Sequence, residues 1–308
     1  CAEGFMDSGG PGLPQVDVAV AVTVSGEELE IDLTGSSGPT HGPVNSPLPG
    51  TIAAARLAFK CLINPDTPVT DGTFRNLFVM APEETVFNVS EPHATIYYYP
   101  PLGLLIDLII RAMADVMPDS VVAGQTADPM NITFVGQRDD GSRFVTGAAT
   151  AVGWGAGYGH DGENGLINYG AGDLKNIPVE VVESKYPIRI CEYGLRLDSG
   201  GPGKWRGGLG IQCEYETLQD DLEMTLWLER SRMPAWGLAG GSAGAPTRGT
   251  VTVDGTDQDV VKCPPMHLPA GSRVRVMTGG GGGFGDPLQR DPRAVEDDLA
   301  DGYISTWP

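Results

Sequence analysis

The stretch from Gly153 to Gly210 constrains this chain more than any other. It opens with a glycine-rich loop around a polar centre, Gly159-His160-Asp161-Gly162-Glu163-Asn164-Gly165, and closes with Asp198-Ser-Gly-Gly-Pro-Gly-Lys-Trp-Arg-Gly-Gly-Leu-Gly210. Glycines at this density let backbone approach backbone, or a ligand, closely. Between the two runs, alternation over Val179 to Glu183 and Ile188 to Leu197 predicts strands, with Pro187 suited to a strand start where no ladder donor is needed. A second glycine run, Gly279 to Gly285, lacks a following Lys-Ser/Thr and runs into Asp286-Pro287. It therefore fits tight packing better than a phosphate loop.

Elsewhere the periodicities alternate between two and 3.6. Val16 to Val24 turns at Ser25-Gly26 into Leu29 to Leu33, the pattern of a hairpin. A helix is expected from Pro49, with Ile52, Ala55, Phe59 and Leu62 on one face and Asn64-Pro65 as its stop. A second helix is expected from Leu102 to Met117, with an apolar face broad enough to be buried against a sheet or another subunit. Short strands are expected near Leu77 to Met80, Ile132 to Val135 and Phe144 to Thr150, and near Val251, Val260 and Val274 to Met277. Gln212 to Leu218 and Glu223 to Leu228 read as a strand pair, and a terminal helix follows near Pro292 to Ala300. The fold class is α+β, β-rich with a few long helices and mixed sheets. Residues 1–150 form an α+β part with two buried helices, and 151–308 a β-rich part that is separate or continuous with it.

The charge narrows the partners. With 40 acidic against 20 basic residues the formal net charge is −20, which opposes encounter with nucleic acid or anionic membranes. No window carries the roughly 20 apolar residues of a membrane span and no signal-type segment opens the chain, so a cytoplasmic location is expected. Five scattered cysteines without a Cys-x-x-Cys pair argue against a disulfide framework or zinc knuckle, and Cys61, Cys191 and Cys213 fall in apolar segments as small core residues. The chain starts on Cys1 rather than methionine, the expectation for a fragment or a processed product.

Two places carry candidate chemistry. His160 and Asp161 form a glycine-flanked polar pair, exposed to a ligand more readily than residues held in regular structure, and are the catalytic candidates. Tyr97, Tyr98 and Tyr99 precede Pro100-Pro101 and offer apolar rings with polar tips on a stiffened segment, a substrate-binding candidate. Asn45, in the hydroxyl- and glycine-rich loop after Thr34, and Asn176, ahead of the Val179 segment, complete the substrate-binding candidates. The four histidines, His41, His93, His160 and His267, make no metal triad by spacing, and no metal ligand is assigned to this chain.

At Asn176 to Glu183, at Tyr186-Pro-Ile-Arg189 and above all at Asp198 to Gly210, the chain resembles the hydantoinase B family. Thr34-Gly-Ser-Ser37, Gly42-Pro-Val-Asn45, Trp236-Gly-Leu-Ala-Gly-Gly241, Phe284-Gly-Asp-Pro287, Arg290-Asp-Pro292 and Asp301-Gly-Tyr-Ile-Ser305 continue the likeness in the family's order. That family includes B-type subunits of N-methylhydantoinase and 5-oxoprolinase, with relatives in acetone and acetophenone carboxylases. The likeness corresponds to the C-terminal part of a family subunit. The family's N-terminal motifs, an Asn-Asp-Pro loop, a His-Leu-Pro-Asp segment and a His-His pair that supply divalent metal ligands, do not occur here. What the resemblance implies is ATP-dependent opening of a lactam, hydantoin or oxoproline-like ring within a hetero-oligomer. A hydantoinase A-like ATPase subunit would bind ATP and phosphorylate the substrate. Another chain, carrying the N-terminal half of the B-type subunit, would hold most ligands of a zinc, manganese or magnesium ion. The alternative is a subunit of an ATP-dependent ketone carboxylase. Two departures bear on the substrate: His160 stands where hydrolase relatives usually show arginine, and Glu91 to Leu102 is aromatic and proline-rich.

Overall fold

The computed structural model describes residues 1–126, 130–138, 140–172 and 174–307. The first half supplies β1 (Ala2–Met6), β2 (Val16–Ser25), β3 (Glu28–Asp32), α1 (Leu48–Leu62), β4 (Leu77–Met80), α2 (Tyr99–Ala112), β5 (Asn131–Gln137) and β6 (Arg143–Ala149). The second supplies α3 (Val179–Lys185), β7 (Ile188–Leu195), β8 (Ile211–Thr217), β9 (Leu222–Trp227), β10 (Arg248–Val253), β11 (Thr256–Asp259), β12 (Met266–Leu268), β13 (Arg273–Met277) and α4 (Pro292–Ala300). This is an α+β fold with one mixed sheet and two antiparallel ones among the described residues.

The first sheet runs β1-β2-β3-β4, with β3 and β4 parallel and the other pairs antiparallel. Helix α2 lies on β1 and β2, and α1 packs on α2 and β4. Pro100 and Pro101 preset φ at the start of α2. Every residue from Gly103 to Ile110 is then buried, as expected of a helix that is apolar nearly all round. Each such leucine or isoleucine contributes roughly 1.5–3 kcal/mol by leaving water. The broad face of this helix is thus covered by its own chain. In α1 the buried set is Thr51, Ala54, Ala55, Ala58, Phe59 and Leu62, with Ile52 half-buried at the margin.

The second sheet, β11-β10-β13-β8-β7, faces the third, β12-β9-β5-β6, across a shared apolar core. Phe134 of β5 meets Tyr215 of β8 across that core with ring centroids 5.7 Å apart. Strands β8 and β9 therefore do not pair, contrary to the hairpin pattern. β8 joins β7 and β13, while β9 crosses to β5 and β12, so the two strands enter opposite sheets of one sandwich. Strands β5 and β6, before residue 150, pair into the sheet of β9, after it.

The Val179–Glu183 segment also departs from its alternation, forming α3 instead of a strand. Pro178 takes the N-cap, Glu180 sits in the first turn and Lys185 in the last, signs that suit the helix dipole. No residue of α3 is buried, so no sheet neighbour enforces the extended form. Cys213 is a core residue as expected, but Cys61 and Cys191 are exposed; all five cysteines are free thiols.

The glycine-rich segments pass one another outside the named strands. Gly153 N–H donates to Gly279 O at 3.0 Å, Gly281 N–H to Gly208 O at 2.9 Å, Gly201 N–H to Gly281 O at 2.8 Å and Gly282 N–H to Gly124 O at 2.8 Å. A Cβ on Gly281 would lie 1.8 Å from Trp154 O, and one on Gly280 1.8 Å from Ser199 O. Backbone crosses backbone here at distances only glycine permits, the tight-packing role read from the run.

Candidate functional site

The polar loop is built on this glycine framework. Gly157 N–H donates to His160 O at 3.2 Å and His160 N–H to Gly157 O at 3.4 Å, closing a tight turn. Gly159 at its tip has φ +90°, in the left-handed region that favours glycine. A Cβ on Gly157 would sit 2.5 Å from His160 Nε2, so the imidazole lies over that glycine. Trp154 N–H donates to Glu163 O, and Gly162 N–H to Arg206 O at 2.7 Å, tying the far side of the loop down.

Asp161 anchors the loop by charge. Arg290 holds it with two bonds, Nη1 to Oδ1 and Nη2 to Oδ2, each 2.7 Å. The Arg206 backbone N–H adds a third at 2.7 Å. Asp298, buried at the end of α4, binds both guanidiniums: Arg290 Nη2 at 2.6 Å and Arg206 Nε at 3.2 Å. Burial works to raise the Asp161 carboxyl, but the hydrogen bonds and charge of Arg290, with Arg206 behind, outweigh it and hold the pKa below the usual range. Such a carboxylate is a poor base and a good fastener.

His160 is exposed and keeps a free hand. Its Nδ1 lies 3.0 Å from Asp161 O. With the Nδ1 proton donated to that carbonyl, Nε2 carries the lone pair and can take a proton. The ring borders a cavity of about 410 Å³ shared with Leu57 and Cys61 of α1, Ile110 of α2, Trp154 and Tyr169. Asp161 and Glu163 line the same cavity. Trp154 and Tyr169 meet edge to face at 4.7 Å, and the Trp154 indole N–H donates to Ile167 O at 2.8 Å. The Tyr169 hydroxyl is buried without a hydrogen-bond partner among the described residues. Burial, with the Asp107 charge adding to it, pushes its pKa well above the ordinary value, so it stays a donor at neutral pH.

The substrate-binding candidates lie apart. Tyr97 stacks on Trp227 at 4.4 Å and 12°, packed against the first core. Tyr98 and Tyr99 stack on each other at 4.3 Å where α2 begins, so the three rings do not present one surface. None of them lines the cavity beside His160. Asn45 is fully buried: its Oδ1 accepts from Thr40 N–H, and its amide donates to Thr40 O, Gly42 O and Ala94 O. That side chain shapes its loop. Asn176 is exposed, donates to the Tyr193 hydroxyl at 2.8 Å, and lines two neighbouring cavities of about 320 and 220 Å³. The smaller of these touches Trp154 from the other side.

Trp154 and Tyr169, which line this cavity, and Arg206 and Arg290, which anchor its loop, were left unassigned by motif reading. The two arginines had a signal, since basic residues are scarce in this chain and both stand in the quoted motifs. Among the described residues no three His, Cys, Asp or Glu side chains are placed to hold a metal ion. The residues present thus do not by themselves fit the divalent metal that the resemblance implies. No helix is long and apolar enough to cross a membrane among the described residues.

The chain is 33% identical over 94% of its length to an uncharacterized protein of Methanocaldococcus jannaschii, of which it covers 50%. It is 28% identical to the caprolactamase subunit beta of Pseudomonas jessenii, with 98% of this chain and 54% of that one matched. It spans about half the length of the curated relatives it matches. A solved acetone carboxylase, described as the nucleotide-free structure in ATP-dependent acetone carboxylation, superposes with a TM-score of 0.81. That likeness covers 94% of this chain and 44% of the other at 19% identity, and speaks to the fold. The Hydantoinase B/oxoprolinase family model matches residues 1–287, and on that match this chain belongs to the hydantoinase B/oxoprolinase family.

Proposed function

We propose that this chain is part of the B-type subunit of an ATP-dependent cyclic amidase complex, and that it opens a lactam, hydantoin or oxoproline-like ring after a partner ATPase has phosphorylated the ring's carbonyl oxygen. The observation that supports this most is a family match over nearly the whole chain, together with a roughly 410 Å³ cavity at the anchored His160 loop. A cavity of that size suits a small ring, and its walls are apolar with a few convergent polar groups. Phosphorylation turns a stable amide into an activated imidate ester. Water then adds to the ring carbon, the C–N bond breaks to release the amine and leave an acyl phosphate, and a second water displaces phosphate to give the carboxylate.

In this reading His160 moves the proton, from the attacking water to the departing nitrogen, through Nε2. Asp161 positions that imidazole by pinning the loop to Arg290. Tyr169 supplies a hydrogen-bond donor on the cavity wall, where charge develops on oxygen. Trp154 and the helix residues exclude bulk water. ATP and a divalent zinc, manganese or magnesium ion are assigned to companion chains, a hydantoinase A-like ATPase and a chain carrying the N-terminal half of the B-type subunit.

The test is co-purification of this chain with both companions, followed by assay on caprolactam, hydantoin and 5-oxoproline with and without ATP and bicarbonate. Ring opening that needs ATP and ignores bicarbonate is expected. Incorporation of bicarbonate carbon into a ketone substrate would instead make the complex a carboxylase.

A further inference from the structure

Two sheet edges meet at the 320 Å³ cavity, and they are treated differently. β7 ends the second sheet and β6 ends the third. Thr146 to Ala149 of β6 and Ile188, Ile190 and Tyr193 of β7 line the same opening. Phe144 and Tyr186, at the near ends of the two strands, are in ring contact at 5.2 Å. The sandwich is therefore open along this side, and Phe134 and Tyr215 of its core show at the bottom of the gap.

An exposed edge invites pairing with other chains, and proteins guard such edges with charges, bulges or covering segments. β7 is guarded. Its register breaks between Ile190 and Glu192, the Ile190 N–H is taken by Glu183 of α3 at 2.8 Å, and Arg189 and Glu192 charge it. β6 is not. Among the described residues its one strand partner is β5, it pairs without irregularity, and its one charge is Arg143 at the start. Val145, just before the lining part of β6, is 62% exposed, and Leu174 and Ile177, across the gap, are 51% and 55% exposed. The gap continues into the 220 Å³ cavity, with Ala149, Leu174 and Asn176 common to both. The result is a mainly apolar groove, with Lys175 also on its wall, beside a strand edge that is bare among the described residues.

We infer that the edge of β6 receives an extended strand from the companion chain that carries the part of the family sequence this chain does not span. The mode is β-augmentation, in which main-chain hydrogen bonds give affinity and alternate side chains fill the groove. A small apolar ligand would fill the cavity but could not pair with the outer edge of β6, whereas a strand does both. The groove-facing positions of that strand are uncharged, because they enter a core lined by Phe134, Ile188 and Tyr215. The relatives supply the candidate polypeptide, since this chain covers only 50% and 54% of two of them. The inference rests on the proposed companion chain.

The test uses the complex purified through a tag on this chain, with a photo-reactive benzoylphenylalanine at position 145 or 177. Both positions should cross-link to one short segment of the companion. Amide exchange over Thr146–Ala149 should slow by about tenfold or more relative to the isolated chain, as for newly paired edge amides. Val145→Lys and Ile177→Asp, both at exposed sites, should weaken companion retention by about tenfold without altering the circular dichroism of the isolated chain. Cross-links to a second copy of this chain, to the ATPase, or to no polypeptide overturn the inference, as does unchanged exchange in β6. If no companion co-purifies at all, the functional proposal fails with it; if it co-purifies and cross-links elsewhere, only the strand docking fails.

Discussion

In the proposed reaction His160 is the side chain that reacts and Asp161 the one that holds. Asp161 spends both carboxylate oxygens on Arg290 and the Arg206 N–H, while the imidazole beside it borders the cavity with Nε2 over Gly157. His160→Gln should therefore lower ring-opening turnover by about 100-fold, the usual cost of losing a proton carrier. Its thermal stability should stay within about 0.5 kcal/mol, as at other exposed sites. Retention of activity within a few-fold would remove His160 from the chemistry. A second residue, Asp107, tests the buried electrostatics. It lies inside α2 with Arg230 Nη2 2.7 Å away and the Gln125 N–H at 3.2 Å, and Arg230 also covers the Trp236 ring. Burial raises the Asp107 pKa to about 7 against the opposing pull of Arg230. The folded protein thus binds this proton more tightly than the unfolded chain, whose carboxylate titrates near 3.9. The group favours folding fully below about pH 4, and that contribution is lost as pH rises to about 7. Asp107→Asn should reduce the stability difference between pH 5 and pH 8 by on the order of 2 kcal/mol in urea titrations. An unchanged difference would show that Asp107 is ionised throughout.

Among the elements, the glycine crossings have the sharpest sequence requirement. Gly281→Ala would place a methyl 1.8 Å from Trp154 O and 2.1 Å from Trp154 C, where only backbone can give way. Destabilisation of about 3 kcal/mol or more is expected, at the upper end for overpacked sites. Gly194→Ala, in β7 with nothing within 4 Å of the new carbon, should be neutral within about 0.5 kcal/mol. Equal midpoints for the two variants in denaturant would contradict the packing role. Much of this level was legible beforehand. The hairpin of β2 and β3, both long helices and α4 followed from periodicity, proline stops and caps, because there local pattern and tertiary burial agree. The sandwich was not legible. The turn between β8 and β9 looks like a hairpin locally, but which sheet each strand joins depends on cross-strand packing that no short window contains. α3 was misread because Val-Glu-Val-Val-Glu fits either period and no burial decides between them. At the site, the histidine loop could be found by its glycines. Trp154 and Tyr169 could not, since apolar cavity walls look like ordinary core residues in sequence.

For the molecule as a whole, the broad face of α2 meets a sheet rather than another subunit. Its face is buried in its own fold, against β1, β2 and α1. The expectation of companions rests instead on the chain's share of its relatives' length and on the open side of the sandwich at β6. The central claim is that water, not bicarbonate, attacks a phosphorylated ring carbon within an assembly that includes this chain. The most direct measurement is mass spectrometry of the product formed by the purified complex in ¹⁸O-labelled water with ATP and ¹³C-bicarbonate. The ring-opening proposal predicts an opened amino acid that carries ¹⁸O in its new carboxylate, forms only with ATP, and contains no ¹³C. A product containing ¹³C, or a ring that opens equally well without ATP, would contradict it.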